Sequence, residues 1–482
     1  MVQRGWEREG RRGFGRVTMA FCRTIAAGLA WLALTCAGAP AEERPAADSL
    51  AQPPPLARPV ANAASAPAAT LYPGEAVAPA KPKPKAPPPP PSETVLPTDP
   101  TPTLGPDTAL ATAEAAERYA RLAAAGGWPT DFAPLKPGAK GPAVAELRKR
   151  LAIEGDLPAS AASGGLSDLA WDAELTQAVE RFQARMGLRP TGRVVGATLA
   201  AINVPAERRA AQLAASVLRL AALNFPFGER YVVVNLPAAS VEAVEGGLVA
   251  RRYAAIVGGV DHPSPEIAAH VRAVDLNPTW TVPVSIIKNE IIPRMQKDPG
   301  YLARQKIRIL DGKGVEVDPR SINWTTERAA SYTLRQDAGA GNSLGAIRID
   351  MPNKLAVYMH DTPSKRLFGA DYRFLSHGCV RVQGVYDFAA WLLEGTGGAP
   401  LGVWDADSLR AEAKTGFPEE IKLVKPTPVV WIYLTGWANA DGRANFRDDV
   451  YGVDGAAEAT ASAAVDVAPI GEIAPARFAP TP

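Results

Sequence analysis

The spacing of apolar positions divides the chain into stretches of different period. Residues 109–125 are rich in Ala, Glu, Arg and Leu, which predicts a helix, and Gly126-Gly127 supplies its stop. Val144, Leu147 and Leu151 share one face of a second helix that opens at Pro142 behind Gly141. Leu175, Val179 and Phe182 repeat that spacing before Gly187, and a further short helix starts near Thr198. The three short helices after residue 135 read as a small bundle.

Beyond residue 228 the pattern turns to strands. Tyr231-Val232-Val233-Val234 is a β-branched run of the kind buried on both faces, ended by Leu236-Pro237. Residues 241–244 with Glu245-Gly246-Gly247 predict a hairpin, and strands follow at 253–257 and 271–276. From 284 to 345 this regularity breaks: 285–294 and 301–305 read as helices, and Asp311-Gly312, Asp318-Pro319 and Asn323-Trp324 as turns. An insertion of that length between strands predicts a lid beside a site. Strands resume at 346–349 and 356–359, the second delivering His360 at its end, and another lies at 429–434. A helix at 385–393 places Phe388, Trp391 and Leu392 on one face. The expectation is an α+β multidomain chain: a mainly-β catalytic domain with an inserted lid subdomain, plus a helical bundle.

Composition extends this picture to the ends. Six arginines from Arg4 to Arg23 precede the apolar run 25–34, and Ala37-Gly38-Ala39 and Ala39-Pro40-Ala41 are cleavage candidates. That layout predicts a signal peptide over 1–41, with Met19 as an alternative start, and hence a periplasmic protein. A membrane tether is expected only if the signal stays uncleaved, the run being short for a span. The 46 prolines cluster near both ends, so 42–106 is expected to be a disordered Pro/Ala-rich linker and 455–482 a disordered tail. Between them lie a helical scaffold segment at 107–134, the bundle at 135–204, a connecting helix at 205–228, and the catalytic domain at 229–454 with its lid near 284–345. A formal net charge of +2 gives no global field for nucleic acid.

The reactive groups concentrate in one place. His360-Asp361-Thr362-Pro363 and Ser376-His377-Gly378-Cys379-Val380-Arg381 hold two of the four histidines and the one cysteine beyond the N-terminal apolar segment. A lone thiol in an exported protein is a liability unless its chemistry is used. With Cys379 as nucleophile, His360 is the natural base, and a backbone carbonyl such as that of Asp361 would orient its ring. Gly378 allows close approach of the backbone, amides around Gly378 and Cys379 would hold an oxyanion beside His377, and Arg381 favours a thiolate or a substrate carboxylate. The residues alone leave other readings open: a metal set, which lacks the paired spacings of structural zinc, a buried structural cluster, or a cysteine hydrolase of unrelated fold. No metal and no cofactor are expected.

Two resemblances narrow the choice. Leu135-Lys136-Pro137-Gly138, residues 144–151, Ala178-Val179-Glu180-Arg181-Phe182-Gln183, Gly187-Leu188, Thr191-Gly192 and Thr198-Leu199 together resemble the peptidoglycan-binding domain of wall enzymes. His360, a gap of fifteen residues, then Ser376-His377-Gly378-Cys379-Val380-Arg381 resembles the signature of L,D-transpeptidases. Tyr358, Asp361-Thr362-Pro363-Ser364-Lys365, Leu367-Phe368, Asn277-Pro278-Thr279-Trp280-Thr281-Val282-Pro283, Leu334-Arg335-Gln336-Asp337 and Asn342-Ser343-Leu344-Gly345 are similar to the large exported members. Thr279 departs from the aromatic common there.

The resemblance implies peptidoglycan as partner, both tetrapeptide stems and glycan strands. It implies that Cys379 attacks the carbonyl between the L-centre of diaminopimelate and the terminal D-alanine, and that D-alanine leaves with a proton from His360. A second stem's amine then resolves the thioester to a 3→3 cross-link, and carbapenems acylate the cysteine. Ser376, Tyr358, Trp280, Asn277 and Arg381 are the substrate-binding candidates. An L,D-carboxypeptidase or cysteine peptidase trimming stems, and a wall-binding protein without catalysis, stand as alternatives.

Overall fold

The computed structural model describes residues 92–455, apart from 163, 164 and 401. The expected signal peptide, the linker up to residue 91 and the tail from 456 lie outside the described residues. The described residues lie within one compact unit. No helix among the described residues is long and apolar enough to cross a membrane.

Among the described residues five α-helices form the N-terminal part: α1 (Thr108–Ala124), α2 (Pro142–Ile153), α3 (Ala173–Arg185), α4 (Gly196–Ile202) and α5 (Ala206–Ala222). Pro142 opens α2 where its missing N–H costs nothing, and the Asp172 carboxylate caps α3 by accepting from Leu175 N at 2.8 Å. The predicted faces are the buried ones: Val144, Leu147, Leu151, Leu175, Val179 and Phe182 share a core with Tyr119 of α1. An ionic cluster is sealed into that core. Glu154 bridges Arg150 and Arg185, the latter at 2.7 Å, Asp156 pairs with Arg185 at 2.6 Å, and Tyr119 donates to Glu154 at 2.8 Å.

Alternation in β1 (Arg230–Asn235) starts the catalytic domain. Val232 and Val234 enter one core while Tyr231 and Val233 face a second, with Leu220 and Phe225 at the end of α5. The main sheet runs β10 (Phe374–Ser376), β3 (Leu248–Gly258), β11 (Val380–Val382), β9 (Met359–His360), β8 (Ile347–Asp350), β4 (Ile267–Leu276), β12 (Glu419–Ile432), β1, β2 (Ser240–Glu245). A further pairing of β2 with β3 closes it on itself. Helix α9 (Val385–Leu392) packs Phe388 and Leu392 into this core, joined by Leu409 of α10 (Ala406–Ala413).

The insertion has a core of its own. Strands β5 (Trp280–Thr281), β7 (Thr333–Gln336) and β6 (Ile307–Leu310) form a three-stranded sheet packed on Ile287, Ile291, Met295 and Leu302. The helical run has two α segments, α6 (Val284–Ile286) and α7 (Ile292–Lys297), separated by a π turn at Ile287–Ile291, and α8 (Tyr301–Arg304) follows.

Three expectations need correction. Residues 92–106, expected as linker, form a strap fixed to the folded part. Thr103 donates N–H and hydroxyl to buried Glu242 at 2.7 and 3.0 Å, and Leu104 is buried beside Tyr231. Proline richness did not decide their state because the partners come from distant β2. Residues 356–358 are not strand: Ala356 sits at φ 53°, a turn conformation, so β9 holds two residues only. The hairpin of β13 (Gly436–Ala438) and β14 (Ala444–Phe446) leaves the catalytic core, burying Ala438 and Phe446 in the helical module.

Candidate active site

Cys379 and His360 are brought together by one parallel pairing. β11 and β9 lie side by side with Val380 opposite Met359 and Arg381 opposite His360, so Cys379, just before β11, lies beside Tyr358, just before β9, and on the face that Arg381 and His360 share. Cys379 is a free, partly exposed thiol, whereas His360 is only 5% exposed. Both line a cleft of about 220 Å³ between the sheet and the insertion, together with Trp280, Glu290, Tyr301, Tyr358, His377 and Arg381. A larger cavity of about 260 Å³, between the helical module and the sheet, holds none of the reactive groups.

The turn that carries the thiol is built by hydroxyls. Gly378 has φ 109°, a backbone state that strains any side chain, although a Cβ there would meet only ordinary contacts with Pro263 and Val357. Ser376 Oγ accepts from Gly378 N at 3.2 Å and donates to the Cys379 carbonyl at 2.5 Å. Ser264 Oγ donates to the Gly378 carbonyl at 2.7 Å and accepts from Gly258 N at 2.9 Å. Gly258 is obligatory for that second clamp, since a Cβ there would come within 2.3 Å of the His262 carbonyl.

Electrostatics set a neutral pair at rest. Burial, reinforced by the Arg381 charge, lowers the His360 imidazole to about 3, against a pull upward from the backbone of Asp361 and Leu344. Burial raises the Cys379 thiol, although the Tyr358 backbone, Arg381 and the Tyr358 hydroxyl each favour the thiolate. Burial also pushes the Tyr358 phenol up, and its hydroxyl interacts with the Trp280 indole and the Cys379 thiol. Burial lowers the Arg381 guanidinium, and its Nε has no hydrogen-bond partner among the described residues. A neutral imidazole beside a thiol is a general base in waiting, able to take the proton as sulfur attacks.

Of the expected site residues, Cys379, His360, His377, Tyr358, Trp280 and Arg381 share the cleft with Ser376. Others are used differently. The Ser376 hydroxyl is spent inside the turn rather than offered to a substrate. The Gly378 N–H is taken by that hydroxyl, so it is not a free oxyanion donor in this state. Asn277 is buried, with φ 48° and its amide donating to the Phe417 carbonyl at 3.0 Å, so it anchors a turn outside the cleft. The Asp361 side chain is an ion-pair partner of Lys365 and accepts from Ala346 N at 3.1 Å, while its backbone, with that of Leu344, acts on the His360 ring.

Sequence reasoning missed Glu290, Tyr301 and His262. Glu290 Oε1 stands 2.8 Å from His377 Nε2, an ion-pair distance whose geometry is not that of a hydrogen bond. The ring of His262 lies 4.6 Å from that of His377. The one available signal for Glu290 was a carboxylate on the predicted helix 285–294, and the π turn that aims it was not legible.

Residues 229–403 match the family described as "L,D-transpeptidase catalytic domain", and 140–202 match "Putative peptidoglycan binding domain". The chain therefore carries an L,D-transpeptidase catalytic domain joined to a peptidoglycan-binding domain. It is 32% identical over 224 residues to "Putative L,D-transpeptidase" of Haemophilus influenzae, a match spanning 46% of this chain and 44% of that relative. Among solved structures it is similar to an L,D-transpeptidase from Mycobacterium smegmatis at 16% identity, covering 42% of this chain and 58% of that one, TM-score 0.21. One from Stackebrandtia nassauensis gives 13% identity, 63% and 96% coverage and TM-score 0.23. Scores this low carry no argument about activity.

Proposed function

We propose that the protein is an L,D-transpeptidase that cross-links peptidoglycan through a Cys379 thioester. The observation that carries this reading is the free Cys379 thiol on its clamped turn, beside a buried neutral His360 and under a separately folded insertion. Sulfur attacks the carbonyl that precedes the terminal D-alanine of a tetrapeptide stem while His360 takes the thiol proton. His360 returns that proton to the departing D-alanine amine as the C–N bond breaks, leaving a thioester. The amine of a second stem then attacks it, giving a 3→3 cross-link and restoring the thiol. Arg381 is suited to hold a substrate carboxylate, and Trp280 and Tyr358 to pack against the donor stem. The insertion acts as a lid that keeps water from the thioester. The helical module holds the enzyme on its polymer, and the N-terminal segment exports it to the periplasm.

Mass spectrometry of the purified protein with a diaminopimelate tetrapeptide tests this. Release of D-alanine with formation of cross-linked dimer is expected from wild type and neither from Cys379→Ala. Release with only tripeptide would make it a carboxypeptidase, and turnover by Cys379→Ala would remove the mechanism.

A further inference from the structure

The cleft lining carries two opposite charges, and each has a buried atom without a hydrogen bond. Arg381 is the one cation and Glu290 the one carboxylate among the described residues that line it. Arg381 Nε and Glu290 Oε1 are both buried without a hydrogen-bond partner. That Glu290 oxygen has only the His377 ring nitrogen against it, 2.8 Å away and out of line for a hydrogen bond, so it can take a better-aligned donor that arrives with a ligand.

Neighbouring cations do not answer it. Lys288, on the same helical run, pairs with Glu327 at 2.5 Å, and Arg294 lies over the Tyr301 ring at 5.4 Å. His377 alone stands at ion-pair distance from Glu290, in poor line for a hydrogen bond. The π turn at Ile287–Ile291 rotates this stretch relative to a regular helix, so Ile287 and Ile291 enter the lid core while Glu290 lines the cleft.

We propose that Glu290 is the recognition site for the acceptor: its carboxylate receives the ammonium group of the incoming amine substrate beside Cys379. The inference rests on the transpeptidase reading and assigns that reaction's second half to the lid. A cationic amine is drawn to this carboxylate, while Arg381 on the same cleft serves a carboxylate, so the two charges distinguish acceptor from donor. In the transfer the acceptor nitrogen bonds to the thioester carbon and the carbon–sulfur bond breaks. Of the two protons the ammonium loses, one ends on the Cys379 sulfur and the other leaves to solvent past His377.

Wild type, Glu290→Gln and Glu290→Asp are compared with a fixed concentration of a diaminopimelate tetrapeptide as donor and rising concentrations of an isotope-labelled diaminopimelate tripeptide, which has no D-alanine to lose, as acceptor, with dimer and unlabelled tripeptide counted by mass. Glu290→Gln is expected to raise the acceptor concentration for half-maximal dimer by about 10-fold or more, as loss of a charge-assisted bond does, and to increase unlabelled tripeptide at the expense of dimer. Glu290→Asp, which keeps the charge but is shorter, should use the acceptor better than Glu290→Gln. If Gln, the near-isostere, serves as well as wild type or better than Asp, Glu290 only props the lid and the inference is overturned. Absence of D-alanine release from wild type would instead overturn the transpeptidase reading itself.

Discussion

Arg381 lies directly opposite His360 in the parallel pairing of β11 and β9, so a guanidinium faces the base of the site across one ladder rung. Burial and this charge together hold the imidazole at about 3, and the thiol beside it is held above its ordinary value by burial. The resting site therefore contains a thiol and a neutral imidazole rather than a thiolate and an imidazolium; in the mechanism proposed above the proton moves only as sulfur attacks.

This fixes the sign of the pH dependence. Between pH 5 and 8 His360 is already neutral, so its protonation does not slow acylation as pH falls through the ordinary imidazole value of 6.5. The rate of adduct formation with a carbapenem, followed by mass, should show no inflection near that value and should rise towards alkaline pH as the thiol ionises. In Arg381→Gln the imidazole moves up and the thiol moves up with it, because the same charge lowered both. Adduct formation at neutral pH should then fall by about 10- to 100-fold, the scale of one lost charge-assisted contact. An ordinary imidazole inflection in wild type would contradict the neutral pair.

Ser376→Ala tests the turn rather than the substrate site. The hydroxyl ties Gly378 N to the Cys379 carbonyl within one turn, and its loss leaves a buried amide unpaired at a cost of about 1–3 kcal/mol. The expected result is a fall in kcat with little change in KM for the donor stem, since the thiol is misplaced while the binding groups stay. A rise in KM alone would return Ser376 to a substrate-binding role.

How much of this was readable in advance depended on where the determining contacts lie. β1 and the first turn of the hairpin were legible because Tyr231-Val232-Val233-Val234 and Gly246-Gly247 carry their own local instruction. β12 was legible only from Val429 onward. Before that only Ile421 and Leu423 alternate with exposed Lys422 and Val424, and Pro426 with the register shift against β4 between Lys422 and Thr427 interrupts the pattern. β7 exposes Thr333 and buries a single large apolar side chain, Leu334, which is too little pattern to read. At the site, Cys379, His360 and Arg381 were found from chemistry and spacing. Ser376 and Asn277 were assigned to substrate because the sequence does not show which hydroxyl or amide is already spent on the backbone.

Glu154 is the keystone of the helical module. It is fully buried between Arg150 and Arg185; burial would raise its carboxyl, but the two guanidinium groups hold it at about 2. Glu154→Gln keeps the volume and leaves two buried cations with half their compensation, Asp156 still serving Arg185. Removing one partner of a buried pair costs about 3–5 kcal/mol. Because Phe446 of β14 shares this core, the loss should appear as a lowered Tm of the whole described unit rather than of a separable module. For the same reason deletion of 135–204 would expose Phe446, and the module's binding role is better tested by surface substitutions on it. A Tm unchanged in Glu154→Gln would mean the cluster is not coupled to the fold.

The strap makes a prediction that separates it from a linker. Glu242 is buried on β2 and receives Thr103 N and Oγ1 at 2.7 and 3.0 Å and Arg252 Nε at 3.0 Å; Arg252 in turn donates to the carbonyls of Pro97, Asp99 and Thr101. One carboxylate thus holds the strap both directly and through the arginine. In Glu242→Ala the arginine stays buried without its carboxylate, a loss on the order of 3–5 kcal/mol, and residues 97–104 lose their anchor on the sheet. Limited proteolysis should spare 92–106 in wild type and cut there in the variant, with the sites read from fragment masses. If wild type is cut within 97–104 as readily as Glu242→Ala, the strap does not hold in solution.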